Sequence, residues 1–348
     1  MVFLYNQLFE NKIVSRNFKY NVFIVFCLLL PNFLIAQKVT KSKATVKVAP
    51  RKNVKVVKKP IKKPVETKAA LIKYGEQLIA NTAIYLGPNG KIAKKSNGMN
   101  CQNCHLDAGT RIWGNNYFGV ASTYPKFRER SGTSENLIKR INDCFERSLN
   151  GQSLDSTSRE MRAMITYIQH LGRAVPKDSI PKGTGIWKVP YMDRAADPSL
   201  GKIAYEAKCT ACHLSNGQGM KTPNGKAYQF PPLWGANSYN SGAGLFRLSR
   251  LAGYIKTNMP LGTSAEEPQL TDEEAWDIAA FINSQPRPSK DLAADWPRIA
   301  GKPIDHPFGP YVDLFNENQH KYGPFKPIEA FYKEQKRKKE HEEKLKIK

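Results

Sequence analysis

Two short stretches of this chain share one pattern: Cys101-Gln102-Asn103-Cys104-His105 and Cys209-Thr210-Ala211-Cys212-His213. A pair of thiols with an imidazole directly after the second has a specific use. The thiols bond covalently to the vinyl groups of a haem, and the histidine takes one axial position on its iron. A zinc site or a pair of disulfides would also use the cysteines, but neither requires a histidine at that position. The pattern therefore predicts two covalently bound haem c groups, attached at Cys101 and Cys104 and at Cys209 and Cys212, with His105 and His213 on the irons.

Each iron needs a second axial ligand, and the intervening sequence can be searched for one. Between His213 and Thr271 the candidates are Met220 and Met259. Met220 follows the histidine too closely, inside a Gly-rich turn, to reach the opposite haem face. Met259 lies twelve residues before Thr271, where a loop can cross the distal side. A His213/Met259 haem has the raised potential of an electron-transfer centre. From Leu106 to Ser156 there is neither methionine nor histidine, and the one soft ligand is Cys144, thirteen residues before Thr157. Cys144 is also the cysteine left over once the haem tethers are counted, and an odd cysteine in an exported protein calls for an explanation. It reads either as an inert buried thiol or as the thiolate ligand of the first iron. A thiolate lowers the potential and can react with another sulfur. The first haem is then a candidate catalytic centre for sulfur oxyanions and the second an electron relay.

The elements that must position these residues repeat. Leu71, Tyr74, Leu78 and Ile79 mark a helix ahead of Cys101, and Leu200, Ile203 and Tyr205 mark one ahead of Cys209. Thr157 with Glu160, and Thr271 with Glu274, form Thr-x-x-Glu capping boxes before strongly apolar helices. This order, helix, haem motif, loop-rich middle and packed helix, predicts a mainly α fold of two tandem cytochrome c-type domains, each with one haem. The boundaries are a signal peptide at 1–36, a Lys/Pro-rich linker at 37–68, the catalytic domain at 69–182, a connector at 183–198, the relay domain at 199–287, a wrapping segment at 288–331 and a charged tail at 332–348. Met161 and Met164 read as core, His170 as a helix-end residue, and Trp234 and Trp276 as haem-pocket walls.

The net charge of +24 is unevenly placed. Residues 38–68 carry twelve basic side chains and one acidic, while 69–332 carry only +7. The basic stretch reads as an extended, self-repelling spacer or as a tether to an anionic surface. Nucleic acid is not expected as a partner, because basic residues in an exported haem protein have simpler uses. Lys12, Arg16 and Lys19, an apolar run from Val22 to Leu30 and a cut after Ala36 read as a secretory signal, although the long basic lead-in leaves an uncleaved anchor open. Periplasmic export is the expectation, with membrane tethering through an uncleaved signal or the basic linker as its variant.

The segment Arg140-Ile141-Asn142-Asp143-Cys144-Phe145-Glu146-Arg147-Ser148 resembles that of the di-haem thiosulfate dehydrogenases, which also act as tetrathionate reductases. The likeness continues through Gly98 to His105, Phe230 to Gly235, Asn258 to Gly262 and Asp305 to Tyr311, spanning roughly residues 70–330. The resemblance implies oxidative joining of two thiosulfates into tetrathionate, or the reverse, with a cytochrome c-type electron partner, soluble or membrane-bound. It implies that Cys144 leaves the iron and carries the substrate sulfur. Some relatives have a lysine beside the relay methionine; Asn258 stands there in this chain. Both substrates are dianions and need positive charge and donors nearby. By resemblance and position Arg130 and Ser148 are expected to contact substrate, whereas Arg147 is expected to pair with a haem propionate and Arg140 with Glu or Asp on its own helix. Two other functions stay open: a non-enzymatic di-haem electron carrier, in which Cys144 is merely buried, and a sulfur-transferring cytochrome of the SoxA type acting on a carrier protein.

Overall fold

The computed structural model describes residues 66–346; the expected signal peptide and nearly all of the linker lie outside the described residues. Twelve α-helices and two short antiparallel ribbons make up the described chain, as a mainly α pair of cytochrome domains requires. No helix among the described residues is long and apolar enough to cross a membrane.

The first half runs α1 (Lys68–Ala80), α2 (Thr82–Leu86), α3 (Leu106–Gly109), α4 (Val120–Thr123), the ribbon β1 (Lys126–Arg128) with β2 (Thr133–Glu135), then α5 (Leu137–Arg147) and α6 (Arg159–Leu171). Helix α1 begins at Thr67, whose hydroxyl accepts from the Ala70 N–H, and it crosses α6 at Gly75. A Cβ on Gly75 would lie 2.1 Å from the Ala163 carbonyl oxygen, so only a hydrogen there lets the backbones approach this closely. Leu78, Met161 and Met164 fill the seam, each fully buried, as the core reading of the two methionines anticipated.

The second half repeats the arrangement. It runs α7 (Pro198–Lys208), α8 (Thr210–His213), the ribbon β3 (Met220–Lys221) with β4 (Tyr228–Phe230), α9 (Leu248–Asn258) and α10 (Asp272–Ser284), followed by α11 (Glu317–Tyr322) and α12 (Phe325–Lys346). Proline is tolerated at the first position of α7 because that N–H has no helical partner, and the Asp197 side chain caps the end. Here Gly201 makes the crossing, with its would-be Cβ 1.8 Å from the Asp277 carbonyl oxygen of α10. The two halves thus share a glycine-mediated crossing of first and last helix.

Several expectations change. The Thr271/Glu274 capping box is present, but α6 is capped by Ser158, which accepts from the Met161 N–H. Asp155 captures the Thr157 hydroxyl, and Glu160 accepts from the Tyr74 hydroxyl at 2.8 Å. Leu200 and Ile203 are exposed on α7, and the buried side of that helix is Gly201 and Tyr205. Trp276 is not a pocket wall: it sits in the second core against Tyr191 and Phe325, its indole N–H donating to the Pro190 carbonyl. Trp234 likewise packs against Tyr205 and Phe281. The charged tail is no separate unit, because α12 starts before it and buries Phe325 and Ile328 in the second core. Each of those side chains contributes on the order of 1.5–3 kcal/mol through burial.

Residues after α10 return to the first half. The Trp296 N–H donates to the Arg130 carbonyl (2.7 Å), and Arg147 forms a bidentate pair with Asp295 at 2.7 and 2.8 Å. The wrapping segment therefore clamps the C-terminal turn of α5, the helix that carries Cys144.

Candidate active site

Helix α5 starts where the Asn136 side chain accepts from the Lys139 N–H. Residues four apart on a helix share a face. Arg140, Cys144 and Ser148 have that spacing, and all three line one cavity of about 120 Å³ whose other walls include Cys101, Cys104 and His105. The two residues read as ligands of the first iron, His105 and Cys144, are thus walls of the same space.

The imidazole of His105 is held from two sides. Its Nδ1 lies 2.6 Å from the Asn115 carbonyl oxygen, which requires Nδ1 to carry the proton and leaves Nε2 as a free lone pair. Tyr117 stacks on the ring at 4.5 Å. Burial pushes the His105 pKa down to about 4, so the ring stays neutral as a metal ligand must. Thr82 tightens the attachment segment, its hydroxyl accepting from the Cys101 N–H and lying 3.2 Å from the Cys101 sulfur.

Arg140 differs from its expected role. Its helix neighbour Asp143 is paired with Lys139, and no carboxylate among the described residues lies within ion-pair range of Arg140. Its pKa is raised, mainly by the charge of Cys144 beside it. Ser148 caps the helix and lines the cavity. Arg130 does not line it. That guanidinium donates to the Gly242 carbonyl, lies over Trp296 and sits 4.0 Å from Asp295, and burial lowers its pKa to about 10. Arg147, expected to pair with a propionate, is instead committed to Asp295 on the wrapping segment. Sequence reasoning gave Arg140 an acid partner on its own helix, although its spacing from Cys144 and Ser148 puts it on their face.

A second cavity, of about 590 Å³, is walled by Cys209, Cys212, His213 and Met259 with apolar side chains such as Leu233, Leu251, Ile255 and Ile278. Its volume and lining are those of a site for a large apolar ligand. Met259 caps the end of α9 and lies on this wall, whereas Met220, on β3, does not. His213 Nδ1 lies 3.0 Å from the Pro231 carbonyl oxygen, and burial lowers its pKa, as for His105. Cys104 and Asn100 line both cavities, so the two sites meet at the first attachment segment. Paired thiols, an imidazole with its Nδ1 engaged and Nε2 free, and a further sulfur side chain on the same lining give each site the donor set of a covalently bound haem.

Comparison with known proteins gives the same picture. Residues 91–176 match the family described as SoxA/TsdA, cytochrome c domain, and residues 199–286 match cytochrome c. The thiosulfate dehydrogenase of Allochromatium vinosum is 40% identical over 196 residues, covering 55% of this chain and 71% of that protein. The chain belongs to the thiosulfate dehydrogenase family. The enzyme of the same name from Stutzerimonas stutzeri is 35% identical over 216 residues, covering 62% of this chain and 69% of the relative. That of Psychrobacter arcticus is 38% identical over 204 residues, covering 58% and 60%. The solved thiosulfate dehydrogenase (TsdBA) of Marichromatium purpuratum, in its as-isolated form, superimposes with a TM-score of 0.60 at 30% identity over 69% of this chain; the match spans 49% of that chain, about half its length. As a member of this family the chain is a cytochrome c oxidoreductase with two covalently bound c-type haems.

Proposed function

We propose that this protein interconverts thiosulfate and tetrathionate, with Cys144 as the reacting group. The observation that carries the proposal is the shared cavity in which Cys144 and His105 meet while Arg140 and Ser148 stand on the same helix face as the cysteine. His105 and Cys144 would hold the first haem iron, His213 and Met259 the second. Each haem, when bound, supplies an acceptor for one electron, and the second centre, with its thioether, has the higher potential.

The remaining steps belong to the protein's own residues. The sulfane sulfur of thiosulfate joins the Cys144 thiolate, forming one S–S bond and releasing two electrons, to give a cysteine S-thiosulfonate. The sulfane sulfur of a second thiosulfate then attacks the outer sulfur of that bond, and tetrathionate leaves as the Cys144 thiolate is restored. Both steps bring a dianion towards an anionic or electron-rich sulfur. At an effective dielectric of 20, two like unit charges 4 Å apart repel by about 4 kcal/mol. The Arg140 guanidinium offsets this repulsion and can fork onto the sulfonate oxygens, and the Ser148 hydroxyl adds a neutral donor. His105, held by the Asn115 carbonyl, is fixed in one tautomer. Arg130 is not assigned a substrate contact.

The setting proposed is the periplasm, with a cytochrome c-type protein taking the electrons. The test is to mix the purified holoprotein with thiosulfate and ferricyanide and to measure tetrathionate by ion chromatography. Stoichiometric tetrathionate from the protein alone, lost in Cys144→Ala, is the expected result. Turnover that survives in Cys144→Ala, or no turnover in the parent, overturns the proposal and favours a simple electron carrier.

A further inference from the structure

We propose that Asn258 is a positioning residue that ties the turn supporting His105 to the end of the helix leading into Met259, so that the two haem sites are mechanically coupled. The inference rests on the ligand set proposed above and concerns a residue that takes no part in the sulfur chemistry.

The turn is Trp113-Gly114-Asn115, and its last carbonyl is the one that orients His105. Trp113 and Asn115 have φ of 57° and 59°, the left-handed region, which costs a non-glycine residue on the order of 1 kcal/mol or more and persists only where the surroundings enforce it. At its centre the Gly114 N–H donates to the Arg111 carbonyl and the Gly114 carbonyl accepts from the Leu106 N–H, each at 3.0 Å, and three further ties enforce the flanking residues. The Trp113 N–H donates to the Gly183 carbonyl and the Asn115 N–H to the Gly185 carbonyl, each at 2.8 Å. The third comes from the second domain: Asn258 Nδ2 donates to the Trp113 carbonyl at 3.2 Å.

Asn258 is well placed for this. It is only 1% exposed, it is the last residue of α9, and it immediately precedes Met259. The same amide nitrogen lies 3.0 Å from the Tyr254 carbonyl oxygen. Two carbonyls converging on it fix the amide orientation, since a flipped amide would face oxygen with oxygen. One turn earlier, the Tyr254 hydroxyl donates to the Asn103 carbonyl, inside the first attachment segment, at 3.0 Å. Helix α9 is thus fastened to the first domain at both supports of its haem site, and the path Met259, Asn258, Trp113, Asn115, His105 is continuous through bonds and hydrogen bonds.

The hydrogen bond on the outer nitrogen of a ligating histidine raises the basicity of the inner one and orients the ring. Without the Asn258 tie, the turn can relax towards ordinary φ and the Asn115 carbonyl withdraws. The imidazole then donates less charge, the oxidised iron is less favoured, and the potential of the first haem rises.

The experiment is a redox titration followed by electron paramagnetic resonance, which separates a His/thiolate from a His/Met species, on holoprotein with haem content measured for each variant. Asn258→Leu and Asn258→Ala should both raise the midpoint potential of the first haem; a tenfold change in its reduction equilibrium reads as about 59 mV. Lys256→Ala, which loosens α9 at its own domain by removing the bond to the Leu270 carbonyl, should leave that potential unchanged. A shift confined to the second haem, no shift at either, or selective loss of the second haem in both Asn258 variants overturns the coupling. The parent's own spectrum decides the ligand assignment separately, so failure of the one is distinguishable from failure of the other.

Discussion

Replacing Arg140 by alanine tests the geometry of the site more sharply than replacing any other charged residue. Arg140 has no carboxylate partner among the described residues, and it shares a helix face and a cavity with Cys144 and Ser148. The change should therefore cost function without breaking an ion pair. A hydrogen bond to a charged group contributes roughly 1.5–3 kcal/mol. If that bond forms with the reacting dianion, kcat/KM for thiosulfate should fall by about 10- to 160-fold, at about 1.4 kcal/mol per decade. Arg140→Lys keeps a point charge but not the planar fork and should recover only part of the loss. The assay is initial-rate reduction of ferricyanide over a range of thiosulfate concentrations and two ionic strengths. Arg130→Ala is the comparison, because Arg130 is packed on Trp296 and Asp295 outside the cavity and should change kcat/KM much less. If Arg130→Ala abolishes turnover while Arg140→Ala stays near the parent, the assignment of the anion-holding residue is wrong.

Gly201→Ala should destabilise the second domain by about 1–3 kcal/mol in denaturant titration, because its Cβ would meet the Asp277 carbonyl oxygen at 1.8 Å; a neutral result would refute the close helix crossing. Asp305 is fully buried, which alone would raise its pKa, yet the Arg247 guanidinium and the Ser249 hydroxyl hold it below the ordinary carboxylate value. Its contribution to stability is therefore complete above the unfolded value of about 3.9 and is lost as pH falls through the lower folded one, so Asp305→Asn should flatten the acid limb of a stability profile measured by denaturant midpoint. Met259→Ala should remove the thioether-to-iron charge-transfer band and lower the potential of the second haem, while the signal of the first haem persists.

The haem attachment points, the count of domains and the places to look for distal ligands were all legible in the sequence, because covalent attachment and metal ligation need particular residue types at short spacings. Cys144 stood out as the one soft ligand between Leu106 and Ser156 and as the cysteine left over from the haem tethers, a reading that does not depend on whether Thr157 or Ser158 caps α6. The helix crossings were not legible. An apolar periodicity marks large side chains, whereas Gly75 and Gly201 work by having none. Leu200 and Ile203 looked like a buried face but are exposed, since the close approach at Gly201 turns the other side of α7 inward. The partners of the arginines were not legible for a different reason. Asp295, distant in sequence, attracts Arg147 and Arg130, and Lys139 takes Asp143, which leaves Arg140 to the cavity. Trp276 similarly owes its core position to Phe325 on α12, a partner that no local pattern announces.

The central claim is that Cys144 and His105, walls of one cavity, would both hold the first haem iron. Electron paramagnetic resonance of the oxidised, substrate-free holoprotein tests it most directly. The account predicts a low-spin His/thiolate signal beside that of the His/Met centre, with the thiolate signal alone lost in Cys144→Ala at full haem content. A parent spectrum without a thiolate-ligated species, or one that Cys144→Ala leaves unchanged, would contradict it.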